Sequence, residues 1–294
     1  MMYLAGSIVL TSYLTLAFKL CEQYHIRIFP AIIFNYITCV ITGSVVNGSF
    51  PVNAETMQTP WFRWACLMGV LFISIFNIVA LTTQRIGVAV ASVANKLSLV
   101  IPVVLSVYLY NETVEGWKLA GVLLALAAVT LTCYPNASDA KKRQGGRWTL
   151  VLPFLLFIGS GLLDALINHV QQLYVTETNK NAYLISGFLS AATIGTVLLL
   201  FQYITGRIPF SIKDLIAGIL IGIPNYFSIW CLVRFLKTSP WQSSASIPVN
   251  NMGIVLFSTL VAWLLFGERL SKTNWTGIVL SVIAIYLIAF GDTL

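Results

Sequence analysis

Charge is what this sequence has least of: only 9% of its 294 residues are Asp, Glu, Lys or Arg, where a soluble domain carries about a quarter. A water-facing surface cannot be built from so few, so a soluble globular fold is excluded. Cysteine is also sparse. Cys21, Cys39, Cys66, Cys133 and Cys231 have neither CxxC spacing nor histidine partners, which argues against a disulfide framework or a zinc site. No Gly-x4-Gly-Lys-Ser/Thr string is present, so ATP is not the expected energy source. No HExxH string exists either, and a proteolytic aspartate pair within the apolar segments is missing. The start, Met1-Met2-Tyr3, has no basic region, and no small-x-small cleavage pattern follows, so the first apolar stretch is expected to be a retained helix. The net charge of +7 comes from residues in short gaps, without an aromatic-interleaved basic face, and is expected to anchor headgroups rather than nucleic acid.

What is abundant is apolar: 58% of the residues, gathered in stretches long enough to cross about 30 Å of hydrocarbon as helices. Ten stretches emerge: Tyr3 to Leu20, Ile28 to Val46, Trp64 to Leu81, Gly87 to Tyr110, Leu119 to Tyr134, Leu150 to Val170, Ala182 to Ile204, Leu215 to Leu236, Ser246 to Phe266 and Trp275 to Phe290. The expected fold is an all-α, multi-pass membrane protein with ten transmembrane helices. Trp61, Trp64, Trp117, Trp148, Trp241 and Trp275 fall at segment ends, as an aromatic belt requires.

The polar stretch 137–148, with Asp139, Lys141, Lys142 and Arg143, divides the chain into two five-helix halves, 1–136 and 149–294. Asn95 precedes Glu112 by 17 residues and Gly121 follows it by nine; Asn251, Glu268 and Gly277 repeat both intervals. Tyr110-Asn111-Glu112-Thr113 corresponds to Phe266-Gly267-Glu268-Arg269. Halves with an odd number of crossings must be inverted relative to one another, about an axis in the membrane plane.

Two five-helix halves, each with an apolar helix closing on Asn-Glu or Gly-Glu and a glycine nine residues later, resemble the drug/metabolite transporter superfamily, in its EamA-type form. The resemblance spans the whole chain and implies a carrier rather than an enzyme, with no cofactor. One departure concerns proline. Relatives often carry one about a dozen residues before the glutamate, whereas Pro102 lies ten before Glu112 and Ser258 takes the equivalent place in the second half. The resemblance also implies cytoplasmic termini; the basic residues, concentrated in odd-numbered gaps (Lys19, Arg27, Arg85, Lys141, Lys142, Arg143, Arg207, Lys213 among them), place the termini outside by the positive-inside rule.

Only Lys96 and Asp164 put a charge deep inside a predicted helix. An ionisable group costs at least about 2.5 kcal/mol there, so a retained one normally faces a cavity, a partner or a substrate. Both helices start from the same side, and at 1.5 Å per residue the two groups differ in depth by about 6 Å. Two readings stand: an ion pair that fixes packing, or groups bracketing one ligand, with Asp164 also a proton-coupling candidate. Ser92, Asn95 and Lys96 share a helix face, as do Asp164, Asn168, Gln171 and Gln172. Asn35, Asn77, Asn225, Asn250 and Asn251 divide between ligand contacts and interhelical bonds. Trp230, inside a helix, is either packing or a stacking wall. Glu112 and Glu268 are expected as caps or loop ties, and Gly218 with Gly222 as a close helix contact.

The expected function is secondary active transport of a small polar metabolite, an amino acid or related zwitterion or organic anion, by alternating access around a midplane cavity. The partners would be that solute and the bilayer of a cytoplasmic-type (inner or plasma) membrane, with no nucleic acid, the protein being a monomer or homodimer. Val93-Ala94-Asn95-Lys96 is similar to a string of nucleotide-sugar transporters in the same superfamily, which keeps a sugar-type carrier open; a channel or structural membrane protein is the remaining class.

Overall fold

The computed structural model describes residues 2–102, 104–105, 116–132, 151–176, 178–238, 243–268 and 270–290. Glu112, Cys133, Trp148, Trp241, Arg269 and the linker 137–148 lie outside the described residues, as do the side chains of Gln171 and Gln172. Among the described residues there are helices and no strands.

The helices are α1 (Met2–Gln23), α2 (Ile28–Asn47), α3 (Ala54–Gln58), α4 (Phe62–Arg85), α5 (Val88–Leu97), α6 (Gly116–Thr132), α7 (Val151–Tyr174), α8 (Lys180–Ile204), α9 (Ile212–Thr238), α10 (Ser243–Phe266) and α11 (Lys272–Phe290). Seven of them are long and apolar enough to cross a bilayer, and shorter apolar helices cover Val88–Pro102, Leu119–Thr132 and Lys272–Ile288. Most are apolar around their whole circumference, which suits helices with protein on one side and lipid on the other.

Two local features depart from the expected segments. The first is α3, one exposed turn whose start is capped by Asn53, its side-chain oxygen accepting from Thr56 N at 2.8 Å. Five residues give no readable periodicity. The second is the fourth segment, which is interrupted at Ser98–Leu99 and resumes at Val100. Pro102 has no N–H for the Ser98 carbonyl, which accepts instead from Ile101 N at 2.9 Å in a tighter turn.

The chain divides into two compact units, each drawn from both halves of the sequence. One comprises Met1–Lys19, Ile78–Leu162 and Phe227–Leu294; the other comprises Leu20–Asn77 and Leu163–Tyr226. In the first, α6 and α11 pack antiparallel. A Cβ at Gly121 would lie 3.0 Å from Ile288 N, and one at Gly277 would lie 2.5 Å from Thr132 N. These two contacts exchange when 156 residues are added to one partner and subtracted from the other, the interval that also separates Asn95 from Asn251 and Glu112 from Glu268. Asn274 Nδ2 donates to the last carbonyl of α6, Thr132 O, at 2.8 Å, supplying a partner that the helix end lacks.

In the second unit, α2 meets α9 through small residues. A Cβ at Gly222 would sit 2.7 Å from Asn35 O and 2.6 Å from Thr38 Cβ, so only glycine lets the backbones approach this closely. Beside it, Asn225 Nδ2 donates to Asn35 Oδ1 at 3.1 Å. Under the same 156-residue exchange, Asn35 and Asn225 become Ala191 and Gly69, and a Cβ at Gly69 would lie 2.7 Å from Ala191 N. The ends of this unit are tied differently. At one, Arg27 Nη2 pairs with Asp214 Oδ2 at 2.5 Å while Arg27 N donates to Asp214 Oδ1 at 3.2 Å; Asp214 is 2% exposed and sits in the first turn of α9, where a negative charge suits the helix dipole. Elsewhere in the unit, Trp61 and Tyr183 stack edge to face at 5.8 Å.

Candidate functional site

Lys96 is the ninth of the ten residues of α5, and the way that helix starts follows from two glycines and a glutamate. Gly267, at φ +59, ends α10 in the left-handed conformation that glycine adopts at little cost. The next residue, Glu268, is thereby turned back, its N–H facing Ala262 O at 3.5 Å, and its carboxylate accepts from Val88 N at 2.7 Å and from Ala89 N at 3.4 Å. Gly87 has φ +131, and a Cβ on it would crowd the Glu268 oxygens at 3.0 and 3.1 Å. A carboxylate on the first free N–H groups of a helix satisfies orphan donors and the dipole together. Glu268 is thus a cap supplied by the second half of the sequence to a helix of the first.

One turn further along α5, Ser258 Oγ of α10 donates to Ser92 Oγ at 2.8 Å. Both serines are buried, at 0% and 2% exposure, so the bond is sheltered from competing water. The helix then ends one residue after Lys96: Ser98 Oγ donates to Asn95 O at 2.5 Å, and the interruption before Pro102 begins. Asn95 and Lys96 are half-buried, in contrast to the fully buried run Val88 to Ala94. Sequence spacing brought out Lys96 and Glu268 separately, but missed Gly87 and the Ser92 to Ser258 bond. A glycine directly ahead of an apolar run was the available signal.

Asp164 and Asn168 lie on α7. Val151, Leu155, Ile158 and Leu162 form its outward apolar stripe, between 39% and 51% exposed. Asp164 belongs to the opposite face, in line with Pro153, Phe157 and Ser160 by helical spacing, and those three are buried. Asp164 and Asn168 are nonetheless exposed. The buried line of α7 through Pro153, Phe157 and Ser160 therefore does not continue to Asp164, a mid-helix carboxylate that lies off the outward apolar stripe.

The other candidates separate by their partners. Asn35 and Asn225 bond each other, and Cys39 Sγ approaches Asn35 Oδ1 at 3.8 Å and Gly222 O at 3.4 Å; Asn35 Nδ2 is buried with no partner among the described residues. Asn77 Nδ2 turns back onto Ile73 O of its own helix at 2.7 Å. Asn250 and Asn251 are buried in α10, and the Oδ1 of Asn250 has no partner among the described residues. Trp230 packs edge to face against Tyr3 and Phe227, at 5.7 and 6.2 Å, with the Arg234 guanidinium over its ring at 5.1 Å. His169 meets Trp64 edge to face at 6.2 Å.

Residues 151–290 match the family model described as the EamA-like transporter family. Over 282 residues the chain is 25% identical to a protein of Haemophilus influenzae described as uncharacterized, a match that covers 93% of this chain and 92% of the relative. A crystal structure at 15% sequence identity is similar with a TM-score of 0.62, over 97% of this chain and 94% of its own; at that identity the likeness is one of fold.

Proposed function

We propose that the chain, whose residues 151–290 match the EamA-like transporter family, is a multi-pass EamA-type member of the drug/metabolite transporter superfamily and a secondary active carrier of a small zwitterion or organic anion. Its family consists of transporters rather than enzymes. In this reading the chain has ten transmembrane helices in two inverted five-helix halves, 1–136 and 149–294, in a cytoplasmic-type membrane. Support comes from the seven long and three shorter apolar helices, and from contacts that exchange under one 156-residue interval in each unit.

The observation that carries the solute class is the exposure of Asp164, in line on α7 with the buried Pro153, Phe157 and Ser160, and of its neighbour Asn168. A carboxylate is retained there at a cost of at least about 2.5 kcal/mol on insertion scales, which an opening that admits water or a polar solute removes. In the first unit Lys96, with Asn95, Asn250 and Asn251, offers a cation and neutral donors and acceptors for a carboxylate or phosphate group; in the second, Asp164 with Asn168 offers an anion for an amine or an exchangeable proton. Asn35, Asn225 and Asn77 serve helix packing instead, given their bonds.

The test is a thermal-stability screen of the purified protein against amino acids, sugars, nucleotides and organic acids, in wild type, Lys96→Ala and Asp164→Asn. A ligand at a hundredfold excess over its dissociation constant stabilises by about 2.7 kcal/mol. A hit lost in both variants, followed by counter-substrate-stimulated uptake into proteoliposomes, supports the carrier. A hit retained in both variants sinks this site, and unsaturable flux without counterflow would make the protein a channel.

A further inference from the structure

We propose that Glu268 and Ser258 are positioning residues for Lys96: together they clamp the start of α5 so that the lysine at its far end moves only as the end of a rigid arm. The proposal rests on the reading above in which Lys96 meets the transported solute. The clamp is made by α10 and the turn after it, and the lysine it controls belongs to the other half of the chain.

Three observations combine. The carboxylate of Glu268 accepts from Val88 N and Ala89 N at 2.7 and 3.4 Å, where both residues are fully buried. The Ser258 to Ser92 bond, at 2.8 Å, holds the next turn. Beyond Lys96 the regular helix is interrupted at Ser98–Leu99 and resumes at Val100, so the arm continues on that side only through a tighter turn. From Val88 to Lys96 is eight residues, about 12 Å of helix at 1.5 Å each. A charge-assisted bond to backbone donors in a low-dielectric setting is stronger than a neutral one, so the clamp at the start of α5 is firm and the interruption at its end is the yielding point. Gly87 is part of the device, since a Cβ there would crowd the carboxylate and strain a backbone at φ +131.

The probe is a hydrophilic thiol reagent acting on Lys96→Cys in a background where Cys21, Cys39, Cys66, Cys133 and Cys231 are replaced. A second reporter, Trp117→Cys at the start of α6, is 55% exposed and monitors general loosening. Glu268→Ala is expected to change the modification rate at position 96 at least fivefold, Ser258→Ala about threefold, and Glu268→Asp to restore most of the original rate, all with the Trp117→Cys rate unchanged. Should Glu268→Ala fail to fold, Glu268→Gln and Ser258→Ala carry the test. Equal rates at position 96 in every variant, or equal changes at both reporters, overturn the clamp. The solute-site reading fails independently, by ligand stabilisation that survives Lys96→Ala; the clamp then stands if position 96 still responds to Glu268.

Discussion

Helices α5 and α10 are related by the 156-residue interval that separates Asn95 from Asn251, yet α10 runs unbroken over Ser243–Phe266 while α5 stops at Leu97. Each contains or precedes a proline. Pro248 is the sixth residue of α10, where the carbonyl it leaves without a bond lies in the first turn; Pro102 falls beyond a full helix and deprives Ser98, in mid-segment. Their counterparts under the 156-residue interval are Ser92 and Ser258, and these two serines bond each other. Where each half lacks its counterpart's proline it supplies a hydroxyl to the joint between the helices. The placement of the proline, more than its presence, decides which helix is an arm and which is its anchor.

Ser258→Pro breaks this comparison most severely, by giving α10 an interruption in mid-helix. It removes the amide that bonds Ile254 O and the hydroxyl that bonds Ser92, and a proline in a helix interior costs about 3 kcal/mol or more. The expected outcome is a large fall in detergent melting temperature or loss of folded protein, well beyond that of Ser258→Ala. Equal melting temperatures for the two variants would mean that α10 anchors nothing. The second unit offers a parallel contrast, since Asn225 and Gly69 are counterparts but only the first makes a side-chain bond. Gly69→Asn drives a side chain into Ala191 N, 2.7 Å from the new Cβ, and is expected to destabilise by about 2 kcal/mol through overpacking. A neutral result in the same melting assay would show that α4 and α8 separate freely.

Pro102→Ser sharpens the comparison from the other side. It returns an amide to the Ser98 carbonyl and makes α5 continuous like α10. Stability should rise by about 1 kcal/mol, the net worth of one backbone bond, while counterflow in proteoliposomes falls because the yielding point is gone. A variant that transports at the wild-type rate would separate the interruption from function.

Much of this fold is legible because the bilayer simplifies the reading: with the backbone obliged to bond within itself, apolar length alone marks the long helices. The ends were set by finer chemistry, and α4 and α7 run four residues past the apolar stretch, to Arg85 and Tyr174, since polar residues continue a helix where headgroups begin. The Gly218 and Gly222 spacing announced a close contact, which α9 makes with α2. Asn35 and Asn77 were indistinguishable in sequence; one bonds across to Asn225 and the other onto its own helix, a difference set by which face each presents. Glu268 was legible as a cap but its client was not, because Val88 lies 180 residues away, and spacing within one half does not report on a helix of the other.

The smallest expected effect isolates the serine joint from the carboxylate cap. Ser92→Ala removes one neutral hydroxyl partner between α5 and α10 and leaves Glu268 on Val88 N. Interhelical hydrogen bonds of this kind in membranes are worth about 0.6 kcal/mol, so the melting temperature should fall only slightly. Ser258 Oγ has an alternative acceptor in Val255 O, at 3.3 Å, which limits the loss further. The combination Ser92→Ala with Ser258→Ala should then cost no more than either alone, because both remove the same bond. A double variant whose loss equals the sum of the singles would mean that each serine acts through a separate partner, and the joint between the two halves would reduce to the carboxylate alone.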